Sequence, residues 1–543
     1  MAHHTEELRR RHHPPVARSR WLALTLLLLP AALGAQQGAP RRGGDSASER
    51  SRPEGARPDL QATARRDSDA APERSRPEAA RPEQQAPSYD ARFTAGTMRI
   101  DYFHTGGKSQ ELVALDRVVA DGPWPGSRTQ LIDATNLGLY RFLVRDSASG
   151  ELLYSRGFSS IFAEWTTTAE AASRFRTFHE SLRFPWPRRP VRVVLEKRAP
   201  STATRIGEFR EVWSADVDPA SRFVNTAVLA PQGKVVSFQE HGPAAGKVDI
   251  VLIAEGYTAA QEAKFEADAK RLLESLFREE PFRSQRASFN VRGVFAPSAE
   301  SGAHRARGGV HRRTRTSTEY NIFDSERYML TLDNRSLRDL ASAAPYEFLA
   351  VLVNDAQYGG GGIHNSHATV AVDSDFAEYV FVHEFAHHFA ALADEYYTSD
   401  VAYQTGAVVK PEPWERNITA LHEPAALKWR ELLAPGTPVP TPWAKAEYEA
   451  HSQRVQEQRQ ALVERNAPEA EYDRLFAAQR DWEQAFFRNE RFAGSVGAFE
   501  GAGYETTGLY RPELDCIMFS RNPVGFCDVC RKALEEIIGL YSA

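Results

Sequence analysis

Beyond residue 88 the chain settles into short runs in which apolar and polar positions alternate with a period of two. Residues 97–103 have this character. Residues 139–144 and 152–155 flank the turn-forming stretch Asp146-Ser147-Ala148-Ser149-Gly150, which reads as a hairpin, and 191–196 form a further strand. The pattern predicts an all-β domain over 89–217, most simply a sandwich. The rhythm then changes. Val248-Asp249-Ile250-Val251-Leu252-Ile253-Ala254-Glu255 is a nearly continuous apolar run ending in a turn, and 259–277 carries Phe265, Ala269, Leu272 and Leu276 on one helical face. Residues 288–295 and 348–353 read as further strands. Strand, helix, strand is the order of an α/β domain with a mainly parallel sheet, assigned to 218–543. Within it, about 441–493 is charged and helical and reads as an inserted, solvated helical hairpin.

A second helix is marked by Phe376, Val380, Phe381, Val382, Phe385, Phe389 and Leu392, spaced by threes and fours. Inside it lies His383-Glu384-Phe385-Ala386-His387. Residues four apart share a helix face, so His383 and His387 can grip one zinc ion while Glu384 takes a proton from the attacking water. Two buried imidazoles beside a carboxylate are costly without a cation. A third ligand is needed, and Asp394 is the first candidate, with Glu395 the alternative. On a continued helix Asp394 would lie about 16 Å from His383. The helix must therefore end near Ala390 or Ala391 and the chain fold back, although no glycine marks the break. His388 points about 140° away from His383 and reads as structural; His364 and His367 are left out of the ligand set.

Just upstream, Tyr358-Gly359-Gly360-Gly361-Gly362-Ile363 lacks the spacing of a phosphate loop. Residues 368–372 after it are strand-like and are expected to form an exposed edge strand able to hold an extended peptide, a mobile loop being the alternative.

Composition changes the picture mainly at the N-terminus. Arg9, Arg10, Arg11, Arg18 and Arg20 precede an apolar stretch of 13 residues, 21–33, and then Gly34-Ala35, which reads as an export signal over 1–35. Thirteen residues are short for a membrane span, so no stable anchor is expected after cleavage. Residues 36–88 are rich in Arg, Pro, Glu and Ala and repeat Glu-Arg-Ser-Arg-Pro-Glu, as expected of a disordered linker. A net charge of −5 gives no case for nucleic-acid binding. In an exported protein the three cysteines, Cys516, Cys527 and Cys530, are expected to supply one disulfide, Cys516 with Cys527 or Cys530; zinc at Cys527-x-x-Cys530 is the alternative, but no second ligand pair is evident nearby.

These motifs resemble the IgA-peptidase-like family of the metzincin zinc peptidases. The matching segments are Leu252-Ile253-Ala254-Glu255-Gly256-Tyr257-Thr258, Tyr358 to Ile363, and His383 to His387 running on to Asp394-Glu395-Tyr396. They continue with Phe499-Glu500-Gly501-Ala502-Gly503-Tyr504, Leu509-Tyr510-Arg511-Pro512, Cys516-Ile517-Met518 and Phe526-Cys527-Asp528-Val529-Cys530. The resemblance covers about 90–543. It implies a metzincin-like α/β peptidase domain after the β-rich one, one zinc per chain with Asp394 as third ligand, Met518 in the turn beneath the metal, and endopeptidase activity on a protein or peptide substrate. The family usually carries glycines where this chain has Ala386 and Ala391. A tyrosine, Tyr504 or Tyr510, is expected to steady the oxyanion. A zinc amidase acting on non-protein amides and an idle metal-containing binding protein are the other readings.

Overall fold

A computed structural model describes residues 88–398 and 409–542. The expected export signal and, apart from Ser88, the expected linker lie outside the described residues. Among the described residues no helix is long and apolar enough to cross a membrane.

The N-terminal part opens with a short helix, α1 (Tyr89–Arg92), and carries two four-stranded sheets. One contains β1 (Phe93–Gly107), β2 (Gln110–Pro123), β5 (Arg176–Pro187) and β8 (Val224–Asn225), in the order β5-β1-β2-β8. The other contains β3 (Tyr140–Asp146), β4 (Leu152–Phe158), β6 (Val191–Arg198) and β7 (Phe209–Val217), in the order β4-β3-β6-β7. Their facing side chains, among them Ile100, Tyr102, Phe142, Val144, Phe184 and Val193, form one core. A helical turn, α2 (Ile161–Trp165), interrupts the strands. The expected hairpin is present with Tyr140 opposite Phe158. Long β2 escaped the pattern because only its last third is buried, so its outer residues carry no apolar alternation.

The rest of the chain is built on a six-stranded sheet, β15-β16-β14-β10-β11-β9. These strands are β9 (Lys234–Gln239), β10 (Val248–Glu255), β11 (Phe289–Phe295), β14 (Phe348–Val353), β15 (Gly360–Ile363) and β16 (His367–Ala371); a small parallel pair, β12 (His304–Arg305) and β13 (Glu319–Tyr320), lies apart. The four central strands are parallel, while β9 and β15 run antiparallel at the edges. Helices cover both faces, which is why β10 reads as an unbroken apolar run. Its Ile250, Leu252 and Ala254 face α3 (Glu262–Leu276) and α5 (Ala377–Ala390), while Val251 and Ile253 face α4 (Asn334–Ala341). The strand ends at buried Glu255, whose carboxylate accepts from the backbone N–H groups of Arg315, Thr316 and Thr318 and so pins the 314–318 loop.

Two expectations are corrected. Residues 368–371 are not the edge: they belong to an inner, fully buried strand, and the glycine run itself is the edge strand. It is glycine-rich because α5 lies directly on it. A Cβ on Gly362 would fall 2.3 Å from the Glu384 carbonyl oxygen, and one on Gly360 would fall 2.5 Å from Val380. The helical pair α6 (Lys445–Glu464) and α7 (Glu469–Arg488) is not merely solvated either. Its Tyr448, Leu462, Tyr472, Phe476 and Phe487 join the main core while the charged residues face out. The chain closes with the two-stranded β17 (Phe499–Ala502) and β18 (Glu505–Arg511), then α8 (Asp528–Tyr541).

Candidate metal centre and cavity

Helix α5 carries His383 and His387 one turn apart, with their Nε2 atoms 3.1 Å from each other. It ends at Ala390, and Ala391 takes a left-handed conformation (φ 54°, ψ 33°), its N–H still bonded to the His387 carbonyl. That reversal, made without glycine, brings Asp394 Oδ1 within 3.0 Å of His383 Nε2 and 3.2 Å of His387 Nε2. Asn417 secures the returning strand: its Oδ1 accepts from Ala393 N–H at 2.8 Å and its Nδ2 donates to the Ala393 carbonyl at 2.9 Å.

The hydrogen bonds fix which ring nitrogens face inward. His383 Nδ1 is 2.9 Å from the Ile517 carbonyl oxygen, and His387 Nδ1 is bonded to that of Leu392. Carbonyls only accept, so both Nδ1 atoms carry a proton and both Nε2 atoms are turned toward the Asp394 carboxylate. Three converging acceptors need a positive charge between them. Burial alone would pull His387 down, but the Asp394 carboxylate outweighs it and carries His387 up to about 9. Burial likewise opposes ionisation of Asp394, yet the two imidazoles hold it well below the usual carboxylate range. The donor set, two imidazole nitrogens and one carboxylate oxygen with separations close to those across a zinc ion, fits such a metal.

The cluster opens into a cavity of about 1130 Å³. Glu384 lines it beside the histidines; burial raises its carboxyl above the usual range, against the pull of His383 and His387. Tyr504 also lines it and donates its hydroxyl to Asp394 Oδ2. Tyr396, which the sequence reading gave no role, stacks near the His383 ring with its hydroxyl 3.5 Å from that of Tyr504. Tyr510 is not among the lining residues; its backbone pairs with Thr419 instead. Further walls come from the N-terminal part (Ser160, Ala163, Thr167), from the edge strand (Gly360, Gly362) and from the helical pair (Gln456, Gln479).

Met518 is fully buried in the turn that supplies the Ile517 carbonyl to His383, and its own carbonyl accepts from Glu395 N–H at 2.9 Å. Glu395, the alternative third ligand, turns away from the histidines, and Asn417 Nδ2 donates to its Oε1 at 3.0 Å. His388 bridges two strands, accepting from Leu349 N–H at 3.1 Å and donating to the Ile363 carbonyl at 2.9 Å. The expected disulfide is not formed. Cys516, Cys527 and Cys530 are free, and Cys516 Sγ lies 4.0 Å from Cys530 Sγ, about twice a bonded distance. The three sulfurs gather around the Glu395 carboxylate rather than pairing; the cysteines are neighbours in sequence, but Glu395 comes from a distant segment that their spacing does not reveal.

No curated protein matches the chain. Family models do: one described as "Peptidase M64 N-terminus" matches residues 88–207, and one described as "IgA Peptidase M64" matches residues 236–538, which includes every residue of the cluster. The chain therefore belongs to the IgA peptidase M64 family of metallopeptidases.

Proposed function

We propose that the protein is an exported zinc endopeptidase with His383, His387 and Asp394 as ligands and Glu384 as general base. The observation that carries this is the convergence of two Nε2 atoms, each ring held by an Nδ1–carbonyl bond, and one carboxylate oxygen beside Glu384 in a large cavity. When bound, zinc would polarise the scissile carbonyl and acidify the attacking water. Glu384, its basicity raised by burial, takes the water's proton and passes it to the departing amine. Tyr504 holds Asp394 through its hydroxyl, and Tyr396, which lines the cavity beside it, is our candidate donor to the developing oxyanion. The edge strand lines the cavity at Gly360 and Gly362; Gly360 already pairs with Arg327 and Met329, so an extended peptide would be held at Gly362, which favours a peptide over other amides.

Metal content and cleavage of a denatured protein, measured on the wild type and on Glu384→Gln, test the assignment. The variant is expected to keep its metal and lose turnover; normal cleavage by it would remove Glu384 from the mechanism, and a metal-loaded wild type inert to every peptide would remove the peptidase. Export rests on the basic and apolar N-terminal residues alone. N-terminal sequencing from the native cells should find a chain beginning near residue 36 outside the cytoplasm; an uncleaved cytoplasmic chain would refute export.

A further inference from the structure

Directly behind the His–Asp cluster, Glu395, Cys516, Cys527 and Cys530 bring one ligand atom each within 4.8 Å of one another, and all four residues are buried. Cys516 Sγ is 4.0 Å from Cys530 Sγ, and Glu395 Oε1 is 3.2 Å from Cys530 Sγ and 3.9 Å from Cys527 Sγ. A tetrahedral zinc with ordinary Zn–S and Zn–O bonds has S···S edges of about 3.8 Å and S···O edges of about 3.5 Å. We propose that these four residues form a second, structural metal site, taking zinc or another thiophilic divalent cation.

Three features favour a metal over a disulfide. Three sulfurs cannot pair, so any disulfide would strand one buried thiol against a buried carboxylate. Glu395 Oε2 has no hydrogen-bond partner, an unexplained orphan that a cation beside the carboxylate would account for. Backbone N–H groups aim at the sulfurs: Met518 and Cys527 at Cys516 Sγ (3.5 and 3.3 Å), and Cys530 at Cys527 Sγ (3.4 Å). Such bonds stabilise thiolates, as does the N-terminus of α8, which Cys527 caps. Binding would release the thiol protons and leave four anionic ligands around one dication.

The position gives the site a purpose. Glu395 follows Asp394 directly, and Cys516 lies two residues before Met518, whose carbonyl holds Glu395 N–H. A metal here would tie the returning strand after α5, the turn beneath the cluster and the start of α8 at one point, making the third ligand of the upper site rigid.

The test uses the full chain purified under reducing conditions and the double variant His383→Ala/His387→Ala. Elemental analysis should give two metals per wild-type chain and one per double-variant chain. On cobalt exchange both should show thiolate-to-cobalt charge-transfer absorption in the near ultraviolet, falling by roughly a third in Cys530→Ser, which removes one of three sulfurs. A single metal in the wild type, none in the double variant, would overturn the second site while leaving the upper one standing. So would cobalt loading without thiolate bands, or a native disulfide found by alkylation and peptide mapping. Because the bands are read on the wild type, an unfolded cysteine variant does not leave the question open.

Discussion

Asn417 is buried completely and works entirely through its amide: it accepts from Ala393 N–H and donates both to the Ala393 carbonyl and to Glu395 Oε1. It touches no proposed ligand of the upper metal, yet it holds the strand that presents Asp394. Asn417→Ala leaves three buried polar groups unmatched, each worth about 1–3 kcal/mol. We expect a clear fall in the denaturation midpoint and a metal affinity lower by about 10–100-fold, as for other residues that orient ligands. Equilibrium competition with a chelator measures the second quantity; unchanged affinity would mean the α5 turn positions Asp394 unaided. This residue also marks where sequence reading stops. His383, Glu384 and His387 are legible because one helix sets their spacing. Asp394 is legible only as a neighbour, since the reversal occurs at Ala391, an alanine in a conformation that costs it about 1–2 kcal/mol and that only the surrounding structure can impose. Asn417, and the part Glu395 plays beside the cysteines, depend on contacts between distant segments and leave no local pattern; Cys527-x-x-Cys530 alone is visible in the sequence.

Among the elements, β1 contributes an unusual buried group. His104 presents Nδ1 to Glu180 Oε2 and Nε2 to Glu111 Oε1, each at 2.9 Å, so both ring nitrogens carry protons. Tyr102 donates to Glu180, and Tyr140 and Lys197 bind Glu111, completing the charged surroundings. Burial pulls the imidazolium down, but Glu180 and Glu111 carry it up to about 8. A pKa raised above the value of about 6.5 expected in the unfolded chain stabilises the fold fully below pH 6.5 and loses that contribution as pH rises through 8, at most about 2 kcal/mol. Thermal unfolding of the metal-loaded protein should thus show stability declining from pH 6.5 to 8.5, and His104→Gln should flatten that stretch; identical slopes would show the ring to be neutral in the fold. The strands most readable in the sequence, β10, β11 and β14, are those buried on both faces. Periodicity gives no sign that the glycine run is the edge strand β15, because its residues are chosen for the closeness of α5, a demand set by packing.

At the scale of the whole molecule, the N-terminal part shares its electrostatics with the rest. Arg99 of β1, wholly buried, pairs with Asp101 and Asp121 of its own sheet and with Asp339 of α4; Arg117 reaches the same Asp339. Arg183 of β5 donates to the Tyr346 carbonyl at 2.7 Å and lies over that ring, while Asn334 of α4 donates to Ser181. Two domains were legible from the change of hydrophobic rhythm, but not this junction, because charges read singly in a sequence look like solvent-facing ones. The junction bears on function, since Ser160, Ala163 and Thr167 of the N-terminal part line the cavity that holds Glu384. Replacing Arg99 with Met fills the space but leaves buried Asp101 and Asp121 short of one cation. Breaking a buried ion network from one side costs about 3–5 kcal/mol. Urea unfolding of Arg99→Met should therefore move to a lower midpoint. It should also separate into two transitions if the shared charges are what makes the parts unfold together. A single transition at the wild-type midpoint would show that apolar contact alone joins them, in which case the wall facing Glu384 owes nothing to Arg99.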